Sequence, residues 1–204
     1  GAFQEPMSVI EQEEALKLYD AGADIYLITN FSSPMYVTER MEIERGPEHY
    51  QMSMTELERF RNLEWEMQKY PQIQSLKEAN LLLGTRRIFG IYQIRDDLPG
   101  ENYAFMNMSF IESHGMQIKK EDYKLVYVGE LSGNMSLDDI FEKFNIDRPE
   151  DFRGHSLSVS DIIVLNDGEK VTAHFVDSIS FEQLDSFLNL EEQVLSELAY
   201  EVGE

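Results

Sequence analysis

The alternation of apolar and polar residues predicts that the first 85 residues form a small α/β module with a pair of helices. Its predicted elements are a helix over 8–20, strands over 24–29 and 34–43, and two helices over 53–70 and about 72–83. Ser53 and Glu56 have the spacing of a capping box, which marks the start of the first helix of the pair. Trp65 lies just off the apolar stripe of that helix and is predicted to be a core residue.

A second α+β pattern begins after Gly84-Thr85, where we expect the boundary between modules. Its predicted strands cover 88–95, 103–106, 123–131, 162–165 and 171–176, and its predicted helices begin at Ser109, Ser136, Ser180 and Asn189. Asn166-Asp167-Gly168 predicts a tight hairpin, and 88–95 with 103–106 predicts another. We therefore expect an α+β protein of two modules, 1–85 and 86–204. The second has a mainly antiparallel sheet, short flanking helices and a C-terminal acidic helix.

Charge narrows the classes of partner. The net charge is −22, from 17 basic and 39 acidic residues, and no Lys or Arg follows Lys170. Such a surface repels phosphate backbones, so we expect no direct nucleic-acid binding. The acidity is typical of a well-solvated surface, and the alternative is a DNA mimic that occupies a DNA-binding protein.

Other classes lack their sequence signals. The chain has no cysteine and none of the usual metal, P-loop or dinucleotide motifs, so we expect neither a metal nor a cofactor. No apolar run is long enough to span a bilayer, and no signal peptide is visible, so we expect a cytoplasmic protein that does not contact membranes. Gly1 in place of Met predicts a tag remnant or a fragment of a longer protein.

The run from Arg153 to Leu165 holds residue types used in catalysis. His155, Ser156 and Asp161 lie in it, and His174 and Asp177 lie in the facing arm of the predicted hairpin. The run lacks a Gly-x-Ser-x-Gly elbow, and residue types without geometry are weak evidence for a triad. A structural role is favoured, in which Gly154 allows a tight turn, the serines bond backbone groups and Asp161 pairs locally. His174 is expected to be a core or edge histidine.

Aromatic residues along the second module could stack on bases, but their alternation favours core and cross-strand packing. They are Tyr92, Tyr103, Phe105, Tyr123 and Tyr127.

Four segments carry a resemblance to a known family. They read YKLVY at 123–127, LDDIFEKFN at 137–145, PEDFRGHSLSVSD at 149–161 and AHFVD at 173–177. Together they make 91–188 resemble the YodL-like domain. The resemblance implies a bacterial protein, often encoded on a mobile element, whose domain stands beside others in multidomain proteins. It implies no activity or cofactor. The signature residues are Gly154, His155, Ser156, Ser158, Ser160, Asp161, His174 and Asp177.

Three hypotheses follow. The leading one is a non-enzymatic protein-interaction module of a mobile-element protein, which binds a protein through an acidic or aromatic surface. The second is an acidic DNA mimic of the anti-restriction type. The third is a hydrolase or transferase that uses His155 and His174. The sequence leaves the oligomeric state open.

Overall fold

The computed structural model describes residues 5–30 and 33–191. These divide into two compact units, 5–80 and 81–191. Each unit is built on its own antiparallel sheet.

The first unit has a four-stranded sheet in the order β1-β4-β2-β3. Its elements are β1 (Met7–Glu11), α1 (Gln12–Asp20), β2 (Tyr26–Leu27), β3 (Met35–Tyr36), α2 (Arg40–Glu44), β4 (His49–Ser53), α3 (Met54–Met67) and α4 (Leu76–Leu83), of which α4 crosses into the second unit. Helices α1 and α3 pack on β4. The core contains Ile10 and Tyr50 from the strands with Leu18 and Phe60 from the helices, all buried.

Helix α3 begins as its capping box predicts. The Ser53 side chain accepts a hydrogen bond from the backbone N–H of Glu56. Leu57, Phe60 and Leu63 are buried, which gives the helix one apolar face. The prediction for Trp65 is wrong, because its side chain is 64% exposed on another side of the same helix.

Two predicted elements of this unit are partly wrong. The helix predicted over 8–20 begins only at Gln12, because Met7–Glu11 pairs with β4 as strand β1. The strand predicted over 34–43 is strand only at Met35–Tyr36, and Arg40–Glu44 forms helix α2. The Glu42 side chain accepts hydrogen bonds from the backbone N–H groups of Thr38 and Glu39, which stabilises the start of that helix.

The second unit has a five-stranded antiparallel sheet in the order β6-β5-β7-β8-β9, which confirms the predicted α+β class. Its elements are β5 (Arg87–Ile94), α5 (Met108–Ser113), β6 (Tyr123–Glu130), α6 (Leu137–Ile146), β7 (Ile162–Asp167), β8 (Val171–Val176) and β9 (Phe181–Gln183), with 3-10 turns at Lys120–Asp122 and Asp185–Leu188. Strand β5 is buried from Ile88 to Ile94, so both faces of the sheet are covered there.

Aromatic side chains fill both faces of this sheet. On one face, the ring of Phe144 from α6 lies 5.9 Å from that of Phe89 and 5.0 Å from that of Phe152. On the other, the ring of Phe187 lies 5.1 Å from that of Tyr92 and 5.4 Å from that of Tyr123. These edge-to-face contacts fix α6 and the loop after it against the sheet.

Predictions that relied on local pattern alone fail in two places here. Residues 103–106 form a turn rather than the partner of β5, whose two edges are already paired with β6 and β7. The helix predicted from Ser180 is strand β9, because Phe181–Gln183 pairs with β8. The final helix predicted from Asn189 lies almost wholly outside the described residues.

Candidate functional site

Hydrogen bonds from Gln93, near the end of strand β5, hold the loop that precedes β7. Gln93 is buried, and its amide nitrogen donates to the backbone oxygen of His155 at 2.8 Å and to Oδ2 of Asp161 at 3.1 Å. Its amide oxygen accepts from the backbone N–H of His155 at 3.2 Å. One side chain therefore positions both His155 and Asp161. We call Gln93, His155, Asp161, Ser160 and Phe105 the Gln93 cluster.

Gly154 is needed here for close approach. A Cβ atom at this position would overlap Oε1 of Gln93 and would lie 2.8 Å from Cζ of Phe152. Its φ is not among the positive values of the chain's glycines, so the tight turn that the sequence suggested is not the reason for glycine. The missing side chain lets the Gln93 amide reach His155.

Asp161 is a buried acid. Its Oδ2 accepts from the backbone N–H of Ser158 at 2.8 Å as well as from Gln93, and its Oδ1 lies 3.9 Å from Nε2 of His155. Burial raises the pKa of Asp161 to about 7, although the hydrogen bonds from Ser158 and Gln93 oppose the shift. This carboxyl group therefore titrates near neutral pH.

The His155 imidazole lies at the surface, beside the buried acid. Its Nδ1 is 2.8 Å from the backbone oxygen of Ser156 and 3.2 Å from the amide nitrogen of Gln93, and its Nε2 faces Oδ1 of Asp161 at 3.9 Å. The Phe105 ring packs against the imidazole, with centroids 5.1 Å apart. The side chain is 40% exposed, so His155 joins the cluster to solvent.

Phe105 and Ser160 both have a left-handed backbone. Among the described residues they are the two non-glycine residues with positive φ, at 63° and 79°. The backbone N–H of Phe105 donates to Oγ of Ser160 at 2.8 Å, and the Tyr123 hydroxyl donates to the Ser160 backbone oxygen at 2.7 Å. Phe105, predicted to pack in the core, is 60% exposed.

Residues 88–187 match the family model of the YodL-like domain. This part of the chain is similar to the YodL-like domain. The matched region contains strands β5–β9, helices α5 and α6, and the whole Gln93 cluster. The chain matches no curated protein and no solved structure.

The eight residues that the resemblance gave as a signature fall into two groups in the structure. Gly154, His155 and Asp161 meet at Gln93, Ser160 bonds Phe105 and Tyr123, and the Ser158 hydroxyl donates to the backbone oxygen of Ser156 within the same loop.

The other two signature residues have separate contacts. Oδ1 of Asp177 accepts from the backbone N–H groups of Met108 and Ser178, so it fixes the start of α5. Nε2 of His174 lies 2.8 Å from Oγ1 of Thr172, and burial lowers the pKa of His174. The imidazoles of His155 and His174 have different partners and make no hydrogen bond with each other.

Gln93 was not singled out from the sequence, and Phe105 was named only as an aromatic residue expected in the core. Gln93 carried a usable signal, because it is the one polar side chain in the buried run Ile88–Ile94, and a buried amide needs partners. Phe105 carried none, since its conformation depends on Ser160, which lies 55 residues away.

The part of the chain that the structure describes has no group of three or more His, Asp or Glu able to hold a metal ion. Within that part, no helix is both long and apolar enough to cross a membrane.

Proposed function

We propose that this chain is a non-enzymatic protein-interaction module of a bacterial, cytoplasmic, mobile-element protein. Its YodL-like domain would bind a protein partner at the surface formed by Phe105 and His155, which we call the Phe105 surface. The observation that carries the proposal is an exposed aromatic side chain on a left-handed backbone. The bacterial and mobile-element setting rests on the resemblance to the YodL-like domain alone.

An exposed phenylalanine in this conformation is unfavourable for the isolated protein. The left-handed backbone costs roughly 1–2 kcal/mol in a residue with a Cβ. Strained residues that the surrounding structure holds in place concentrate at binding and switch sites. The Ser160 hydroxyl, the buried Tyr123 and the end of strand β8 all hold Phe105 and Ser160 here, which supports a role for the exposed ring.

A ring held in this way suits a protein interface. Aromatic residues are frequent among the few side chains that contribute most of the binding free energy. Since the backbone of Phe105 is already fixed, less conformational entropy of this residue would be lost when a partner binds. The ion pair of Lys124 and Asp96, at 2.8 Å, lies within electrostatic reach of His155. An apolar centre with a charged rim is the usual composition of such an interface.

The hydroxyl groups favour this reading over a hydrolase. Oγ of Ser160 accepts from Phe105, and Oγ of Ser158 donates to a backbone oxygen. Both hydroxyls serve the backbone rather than the imidazole of His155, whose Nδ1 bonds Ser156. The hydrolase hypothesis needs a serine hydroxyl that is hydrogen-bonded to the imidazole as its base.

Site-specific photo-crosslinking tests the proposal. A benzophenone amino acid at position 105, expressed in the host bacterium, should crosslink one protein, while the same group at Ile146, also exposed, should not. The identified partner is then purified and its affinity measured. We expect Phe105→Ala to weaken binding at least about 10-fold, as for a central aromatic contact. Ile146→Ala should leave the affinity unchanged.

Two outcomes would overturn the proposal. Equal affinity of the partner for Phe105→Ala and Ile146→Ala would place the interface elsewhere. A partner that is displaced by duplex DNA and lost at high salt would instead indicate the DNA mimic, because such binding depends on charge.

A further inference from the structure

The sheet of the first unit has one face packed on helices and one open face. The antiparallel register aligns Val9 with Gln51, Gln51 with Tyr26, and Tyr26 with Tyr36, so these four side chains form a row across all four strands. Neighbouring Ile10, Tyr50 and Met52 point to the opposite face and are buried. Val9 is 64% exposed and Tyr36 is 50% exposed. We call the row Val9, Gln51, Tyr26 and Tyr36 the open sheet face.

Two tyrosine rings contact each other at one end of the row, and we call this pair, Tyr26 and Tyr36, the aromatic corner. The rings of Tyr26 and Tyr36 meet edge to face, with centroids 5.5 Å apart and planes at 66°. The Tyr36 hydroxyl donates to Oδ1 of Asp24 at 2.9 Å, and this bond raises the pKa of Tyr36 to about 12. Burial and the charges of Asp24 and Glu5 raise the pKa of Tyr26. Both carboxylates therefore lie near the aromatic corner.

The open sheet face carries negative charge without a positive counterpart. Strands β1–β4 contain no Lys or Arg. In the described residues, neither Asp24 nor Glu5 has an ion pair, whereas the helix cations Lys17, Arg40 and Arg59 pair with other acids. The carboxylates of Asp24 and Glu5, beside the aromatic corner, are thus available to a cation of a binding partner.

We propose that the open sheet face binds a protein segment that presents a Lys or Arg side chain between apolar residues. The cation would lie on the rings of Tyr26 and Tyr36 next to Asp24 and Glu5, and an apolar neighbour would cover Val9. A cation within ~6 Å of a tyrosine ring is attracted by the electrons of the ring face. A nearby carboxylate adds a charge-assisted hydrogen bond, so ring and carboxylate favour the same ligand group.

Charge disfavours two other occupants. The chain from residue 192 onwards contains four Glu and no Lys or Arg, so it would bring like charge to this face. A second copy docked through a two-fold axis would present the same acidic face, so like charges would approach one another. A foreign basic segment complements the face. This inference concerns the first unit and does not depend on the Phe105 surface of the second.

An NMR titration of the full ¹⁵N-labelled chain tests the inference. The probe is the capped peptide acetyl-Val-Lys-Val-Lys-Val-amide, with acetyl-Val-Gln-Val-Gln-Val-amide as the neutral control. We expect the lysine peptide to shift the amide signals of Tyr26, Tyr36 and Gln51, and the glutamine peptide to leave them in place. The inference would be overturned if the shifts were confined to the helices or were equal with both peptides. It would also be overturned if no amide signal shifted at a peptide concentration 10-fold above a Kd of ~1 mM.

Matched variants separate the site from general acidity. Asp24→Asn should weaken binding of the lysine peptide about 2- to 5-fold, and Tyr36→Leu should weaken it by a similar factor. Asp20→Asn removes the same charge at a carboxylate already paired with Arg40 and should leave the affinity unchanged. Equal losses from Asp24→Asn and Asp20→Asn would show attraction to the overall charge and sink the inference. Because Asp24→Asn is isosteric, the test holds even if Tyr36→Leu unfolds the unit.

Discussion

The backbone N–H of Phe105 donates to the side-chain oxygen of Ser160 at 2.8 Å, and both residues have positive φ. The two unfavourable conformations thus support each other across 55 residues of sequence. Ser160 is buried and bonded on both sides of its backbone, so it is the fixed partner, and Phe105 is the residue presented to solvent.

Glycine at position 105 should separate stability from binding. We expect Phe105→Gly to be more stable than Phe105→Ala by about 1 kcal/mol, because glycine adopts φ near 63° without the Cβ cost that alanine retains. Both variants lack the ring and should lose the partner equally. Urea denaturation gives the stability difference, and titration with the purified partner gives the affinity.

Position 142 supplies the control for this comparison. Glu142 is exposed in the middle of α6, where the backbone is helical, so Glu142→Gly should be less stable than Glu142→Ala by about 1 kcal/mol. If Phe105→Gly is also the less stable of its pair, the left-handed conformation of Phe105 is not a source of strain.

Asp161 should make the protein less stable as pH rises towards neutrality. Its pKa is about 7 in the folded chain and 3.8 without the fold, so between these values the folded chain holds a proton that the unfolded chain has lost. The contribution of this group to stability is present below pH 4 and lost as pH rises to about 7. A shift of three units corresponds to about 4 kcal/mol.

Asp161→Asn isolates this effect from the other acids. The asparagine oxygen can accept from Ser158 and Gln93 as Oδ2 does, but it does not titrate. We expect the stability of the wild type relative to this variant to fall between pH 4 and pH 8, measured by urea denaturation. Parallel curves would show that Asp161 ionises in the fold as readily as in water.

Local signals predicted much of the second sheet. Strands β5, β6, β7 and β8 follow runs of β-branched and aromatic residues, and the turn after β7 follows Asn166-Asp167-Gly168. The errors arose where distant pairing decides the conformation. Phe181–Gln183 has a helix-like start, but hydrogen bonds to β8 make it a strand. Met7–Glu11 likewise becomes a strand only because β4 lies beside it.

The Gln93 cluster shows the same limit. Loop residues 154–161 were adjacent in sequence and could be grouped from it. Gln93 lies 62 residues before His155, and its role depends on the antiparallel pairing of β5 with β7. No spacing rule connects such residues, so only the fold could bring Gln93 and Phe105 to the site.

Gly154 should tolerate a methyl group only when Gln93 is shortened. We expect Gly154→Ala to destabilise the protein by about 1–3 kcal/mol, because its Cβ would overlap the Gln93 side chain. In a Gln93→Ala background the same change should cost less, since one of its two obstacles is gone. A double-mutant cycle by urea denaturation measures the coupling. Additive costs would mean that Phe152, at 2.8 Å, is the main obstacle.

Tyr36 reports on the aromatic corner of the first unit through its own ionisation. Its pKa is raised to about 12, first by the hydrogen bond to Asp24 and then by burial. Asp24→Asn removes the negative acceptor, so the phenolate costs less and the pKa of Tyr36 should fall towards 10. The ¹³Cζ signal of labelled tyrosine, followed from pH 8 to 12, resolves Tyr36 from the other nine tyrosines.

Tyr19 is the internal control, because its pKa is raised by burial and by Glu42, Asp20 and Glu39 and should not respond to Asp24→Asn. A Tyr36 titration that stays unchanged in the variant would mean that Asp24 does not hold the hydroxyl, and the proposed cation site would lose one of its carboxylates.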